Sequence, residues 1–140
     1  MKEVGVINRE VAHAIAKQGH GDLLMVTDAG FAIPLEVEVI DLSLEENNPM
    51  VLEVLAMFCR NFSVEKIIMA NQTKETSPTM FVGISRSFGE DIPVETIDHA
   101  ELKQMANKVK TIIRTGDFTA YGNVILVSGA GNRWYCENAG

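Results

Sequence analysis

The chain has 140 residues, 46% of them hydrophobic and 22% charged, with 11 glycines and 4 prolines, a composition that excludes disordered, collagenous and disulfide-framework proteins. Its length suits one domain with a core large enough to fold without disulfides or a structural metal. Twelve basic against nineteen acidic residues leave a formal charge of −7, which repels nucleic-acid phosphates and anionic membrane surfaces, and no apolar run nears the ~18 residues that a bilayer crossing needs.

Asn8 is a candidate N-cap for a first helix with Val11, Ala12 and Ile15 on one face and Gly19 as its stop. Leu23-Leu24-Met25-Val26 is a short continuous apolar run, the mark of a strand buried on both faces. Val37–Ile40 follows as a second strand after Pro34. Asn48-Pro49 is expected to open a helix through about Asn61, with proline at the first helical position.

Glu65–Ala70 predicts a third strand, with Asn71 and Gln72 at its end. Ser77-Pro78 repeats the cap-then-proline signal and starts a helix toward Phe88. Val94–Ile97 is a strand, and Asp98 with Glu101 forms an acidic variant of the capping box. The helix it opens is expected to run to about Arg114 and stop at Gly116. Val124–Val127 is the final strand, and Trp134 and Tyr135 in the tail point to a segment that docks rather than floats.

Helices alternating with short apolar strands predict an α/β fold: a single-domain three-layer sandwich over residues 1–140, with a largely parallel sheet and helices on both faces. There is no linker and no repeat at a 20–50 residue period. The opening Met1–Gly5 lacks a signal-peptide pattern, so the expected compartment is cytoplasmic. There the matches Asn61-Phe62-Ser63 and Asn71-Gln72-Thr73 to the glycosylation pattern are inert. Cys59 reads as a small core residue, and Cys59 and Cys136 show no metal-ligand spacing.

Ligands of α/β sheets gather at the carboxyl ends of strands. Asp28-Ala29-Gly30 follows the first strand, Asn71-Gln72 the third, and His99 lies just past the fourth. Gly19-His20-Gly21-Asp22 brackets an imidazole with two glycines; a helix stop with a favourably placed cation and a reactive site fit it equally. His13 is expected to face solvent. Tyr121-Gly122-Asn123 serves either as turn chemistry or as a site wall. Gly129-Ala130-Gly131 has no helix after it and is not a dinucleotide site. No P-loop, Ser–His–Asp order or metal cluster is present.

Three segments together resemble the D-ribose pyranase and L-fucose mutarotase family: Gly19-His20-Gly21-Asp22, Asp28-Ala29-Gly30-Phe31-Ala32-Ile33-Pro34 and Tyr121-Gly122-Asn123-Val124-Ile125-Leu126. The resemblance spans about residues 3 to 128 and leaves the tail 129–140 poorly matched. It implies a cytoplasmic, cofactor-free isomerase that interconverts cyclic forms of a free monosaccharide, assembled as a homo-oligomeric ring, often a decamer. It also implies that His20 is the catalytic acid/base and that Asp28, His99, Tyr121, Gly122 and Asn123 bind the sugar, with Lys103 as a further polar contact. The His99–Lys103 helix start and the loop after Asp28 favour β-D-ribopyranose and β-D-ribofuranose as the forms exchanged. L-fucose anomers are the alternative substrate, and a non-catalytic monosaccharide-binding subunit is the alternative function.

That chemistry suits the residues. Opening a hemiacetal needs a base on the anomeric hydroxyl and an acid on the ring oxygen, and an imidazole serves either role near neutral pH. An extended strand over residues 23–27 would hold His20 and Asp28 roughly 15 Å or more apart, at ~3.3 Å per residue. Unless the His20 loop folds back, two chains must each supply part of the site, which predicts a site at a subunit boundary.

Overall fold

The computed structural model describes residues 1–138. It is organised by β1 (Leu23–Thr27), whose neighbours are β5 (Thr111–Arg114), running parallel, and β6 (Val124–Ser128), running antiparallel. Beyond β6 come β3 (Val64–Ala70) and then β4 (Val94–Ile97), while β2 (Glu38–Asp41) closes the other edge. The order is β2-β5-β1-β6-β3-β4. Three of the pairings are parallel and both made by β6 are antiparallel, so the sheet is mixed but mostly parallel.

Helices cover both faces. On one face α1 (Arg9–Ala16), α2 (Val51–Asn61) and α4 (Pro78–Ser85) bury Val11, Leu55, Phe58 and Ile84 against Leu24, Val26, Met69 and Leu126. On the other, α5 (His99–Met105) and the 3-10 turn Ala106–Lys108 pack Leu102 and Ala106 on Met25, Ile68, Ile112 and Ile125. Strands sandwiched this way need apolar side chains in both directions, which is why Leu24, Met25 and Val26 are consecutive and all buried. The three-layer sandwich with a largely parallel sheet is the architecture read from the sequence.

Several boundaries differ from that reading. The helix after His99 ends at Met105, and Thr111–Arg114 is a central strand; the β-branched run Thr111-Ile112-Ile113 fits a doubly covered strand better than a helix. Asn71–Thr76 forms a short helix, α3, rather than a strand end. Pro49 precedes α2 instead of occupying its first turn. The free N–H groups there are taken by side chains: Met50 N–H donates to Glu53 (3.0 Å) and Val51 N–H to Asp117 (2.9 Å).

Asp98 does cap α5, accepting the Ala100 N–H, but its companion is Gln72 rather than Glu101. The Gln72 carboxamide donates to Asp98 (3.1 Å) and accepts the His99 N–H (3.0 Å). Asn8 caps α1 as expected, accepting from Val11 N–H at 3.0 Å, and His13 is exposed. Cys59 is also exposed, on the outer side of α2 beside the buried Phe58, and is not a core residue. Trp134 and Tyr135 are exposed too. Among the described residues no helix is long and apolar enough to cross a membrane.

Candidate functional site

Because β6 runs against its neighbours, its first residues lie at the carboxyl ends of β1 and β3: Val124 pairs with both Val26 and Met69. Asn123 therefore arrives beside Asp28, although 95 residues separate them. Its side-chain oxygen accepts the Asp28 backbone N–H at 2.9 Å. The Asp28 carboxylate in turn accepts N–H groups from Gly30 (3.0 Å) and Gly122 (3.2 Å). Burial pushes the Asp28 carboxyl above its ordinary value of 3.8; those N–H groups and that of Phe31 oppose the shift, and the nearby Asp117 adds to it.

Around this core opens a cleft of about 760 Å³, lined on its several walls by Asp28, Phe31, His99, Arg114, Tyr121 and Asn123. Tyr121 has φ +56°, a left-handed conformation that a tyrosine adopts only when its surroundings impose it. Here they do: Thr73 Oγ1 donates to the Tyr121 carbonyl (2.6 Å) and Ser77 Oγ to the Ala120 carbonyl (2.7 Å). The His99 ring is held edge-on between Phe31 (centroids 6.2 Å apart) and Tyr121 (5.0 Å). Its Nδ1 is buried without a hydrogen-bond partner, so the cleft carries a polar atom to which a ligand would bring the missing bond.

The structure thus brings together Asp28, His99, Tyr121, Gly122 and Asn123, with Lys103 on the rim. It does not bring His20 among them. His20 precedes β1 at the other end of the sheet, where Gly21 N–H donates to the Ser128 carbonyl (2.7 Å) and Ser128 N–H to that of Asp22 (2.8 Å). There its side chain, 68% exposed, meets Glu65 at 3.0 Å between Nε2 and Oε2. His20 belongs to a second hollow of about 790 Å³, shared with Gln18, Arg60, Ser63, Gly129 and Trp134.

Sequence reasoning missed Arg114 and Asp117 as cleft residues. Both lie at the carboxyl end of β5, the strand read as helix. Arg114 bonds Asp41 (3.0 Å) and the Ala29 carbonyl (2.9 Å), bracing the loop after Asp28. Asp117 accepts from Val51 (2.9 Å) and Thr119 (2.8 Å), and its carbonyl accepts the Ala29 N–H (2.9 Å). The β-branched run ahead of Gly116-Asp117 was the signal that could have placed them. Among the described residues no group of histidine, cysteine or carboxylate side chains is arranged to hold a metal ion.

Comparison with known proteins places the chain in a family. The family model described as the RbsD / FucU transport protein family matches residues 1–131. A D-ribose pyranase of Halalkalibacterium halodurans is 40% identical over 129 residues, covering 92% of this chain and 98% of the relative. One of Clostridium tetani is 39% identical over the same shares. Among solved structures, Bacillus subtilis RbsD complexed with D-ribose superposes with a TM-score of 0.89 at 34% identity, over 94% of this chain and 99% of that one. The fucose mutarotase of Streptococcus pneumoniae, solved with L-fucose, shares the fold at 17% identity and a TM-score of 0.63, over 89% of this chain and 94% of that one.

Proposed function

The chain belongs to the RbsD / FucU family, and we propose that it is an isomerase of the D-ribose pyranase type, exchanging β-D-ribopyranose and β-D-ribofuranose without a cofactor. The observation that carries this reading is the cleft itself. It holds a buried carboxylate, a carboxamide, a phenol and an unpartnered imidazole nitrogen, in a chain 40% identical to a D-ribose pyranase. Asp28 accepts from sugar hydroxyls. Asn123, its oxygen committed to the Asp28 N–H, donates through its nitrogen, and Tyr121 and His99 supply ring faces and further polar contacts. An uncharged sugar is compatible with a chain of charge −7.

The reaction needs two proton movements in each direction. A base takes the anomeric hydroxyl proton as the bond from C1 to the ring oxygen breaks, and an acid protonates that oxygen, giving the open aldehyde. Closure through the C4 hydroxyl instead of the C5 hydroxyl returns both protons and yields the five-membered ring. His20 is the acid/base of this reading. A second copy of the chain must supply it, because within one chain it stands at the opposite end of β1 from Asp28. The active form is then a homo-oligomer with sites at subunit boundaries, a ring such as the decamers implied by the resemblance, working in the cytoplasm.

Saturation-transfer NMR on free D-ribose tests the proposal directly. Wild-type protein should accelerate exchange between pyranose and furanose signals more than exchange between L-fucose anomers. His20→Ala should lose about 10²–10⁴-fold of that rate while ribose still binds. Faster exchange of L-fucose than of D-ribose would reassign the substrate, and binding with only solvent-rate exchange would make the protein a sugar-binding subunit.

A further inference from the structure

We propose that Glu65 is a positioning residue for His20: it holds the imidazole by Nε2 and leaves Nδ1 as the atom that exchanges protons with the sugar. The inference rests on the reading of His20 as the acid/base and adds the residue that orients it. A carboxylate only accepts hydrogen bonds, so the 3.0 Å contact with Glu65 Oε2 places the proton of the neutral ring on Nε2. The Nδ1 lone pair is then free to take a proton, and the carboxylate steadies the imidazolium that results.

Two features of the backbone are shaped around this contact. Glu65 is the extra residue of a β-bulge: Val64 pairs with Ser128 and Lys66 with Val127, leaving Glu65 unpaired between them. Val64 consequently faces the same core as Ile67, three residues on, instead of alternating with it. Bulges re-aim side chains, and this one turns Glu65 toward His20. The second feature is Gly129, opposite the bulge. A Cβ there would fall 2.6 Å from both Cγ and Cδ of Glu65, so any other residue would displace the side chain. With Glu65 39% and His20 68% exposed in one chain, the pair adds little to folding stability. Orientation is what it contributes.

The test follows exchange rates across a range of D-ribose concentrations for Glu65→Ala, Glu65→Gln, Gly129→Ala, His20→Ala and the double variant His20→Ala/Glu65→Ala. Glu65→Ala should lower kcat on the order of ten- to a hundredfold, with KM within about twofold of wild type and Tm unchanged. Glu65→Gln keeps an acceptor oxygen and should lose less. Gly129→Ala should reproduce the Glu65→Ala loss by pushing the carboxylate away. Since Glu65 acts through His20, adding Glu65→Ala to His20→Ala should cost nothing more. Full kcat in Glu65→Ala, or losses that multiply in the double variant, would overturn the assignment. A wild-type protein without exchange, or an active His20→Ala, would instead overturn the proposed function.

Discussion

The Asn123 side chain accepts the backbone N–H of Asp28 at 2.9 Å, and both residues are buried. This bond ties the last strand to the loop that opens the cleft, so it serves the fold and the site together. Asn123→Ala would leave that N–H unpaired and should lower stability by about 1–3 kcal/mol. Ribose affinity should fall further than that loss implies, because the donor that the proposed function assigns to the sugar goes as well. Urea unfolding beside a ribose titration separates the two effects.

The raised pKa of Asp28 gives a signed pH dependence. With its folded value above the unfolded 3.8, the native state holds more protons between those two values. Its contribution to stability is fully present below 3.8 and is lost as pH rises through the folded value. If Asp28 accepts from sugar hydroxyls as proposed, ribose affinity goes the other way, because the anion is the better acceptor: it should weaken as pH falls through that window. Asp98 is held below its ordinary value, chiefly by the Ala100 N–H and then by Gln72. Its stabilisation is present above 3.8 and is lost only as pH falls through its lower folded value. Tm and ribose affinity measured from pH 7 to pH 3 should therefore decouple, with affinity declining first.

A site divided between chains predicts complementation. His20→Ala and Asp28→Ala should each be inactive alone. When the two are unfolded and refolded together, about a quarter of randomly formed boundaries should carry both intact halves and recover activity. Exchange measured on the co-refolded mixture checks this. Two variants that stay inactive together would overturn a site shared between chains.

Leu126 lies wholly buried on β6, opposite Leu24 of β1 and Ile67 of β3. Leu126→Ala should cost about 2–5 kcal/mol, since strands on both sides prevent the cavity from collapsing. Denaturant midpoints at unchanged slope would report it. Because β6 also delivers Asn123, ribose affinity should drop in parallel.

Local chemistry made much of this protein legible from its residues alone. Consecutive apolar residues marked β1 as a strand covered on both faces and β6 as the final strand, Asn8 and Asp98 declared helix starts, and the residues after β1 and before β6 stood out by type. The reading failed where local signals were ambiguous. Met105–Arg114 contains both helix-forming and β-branched residues, and the slot between β1 and β2 settles Thr111–Arg114 as a strand, which brings Arg114 and Asp117 to the cleft. The direction of β6 was equally invisible, because an apolar run reads the same either way. Tertiary pairing turned that strand antiparallel, set Asn123 against Asp28 and left His20 beside Glu65 at the far end. Composition and period decide which segments are buried. Which ends meet is decided by hydrogen bonds between strands far apart in the chain.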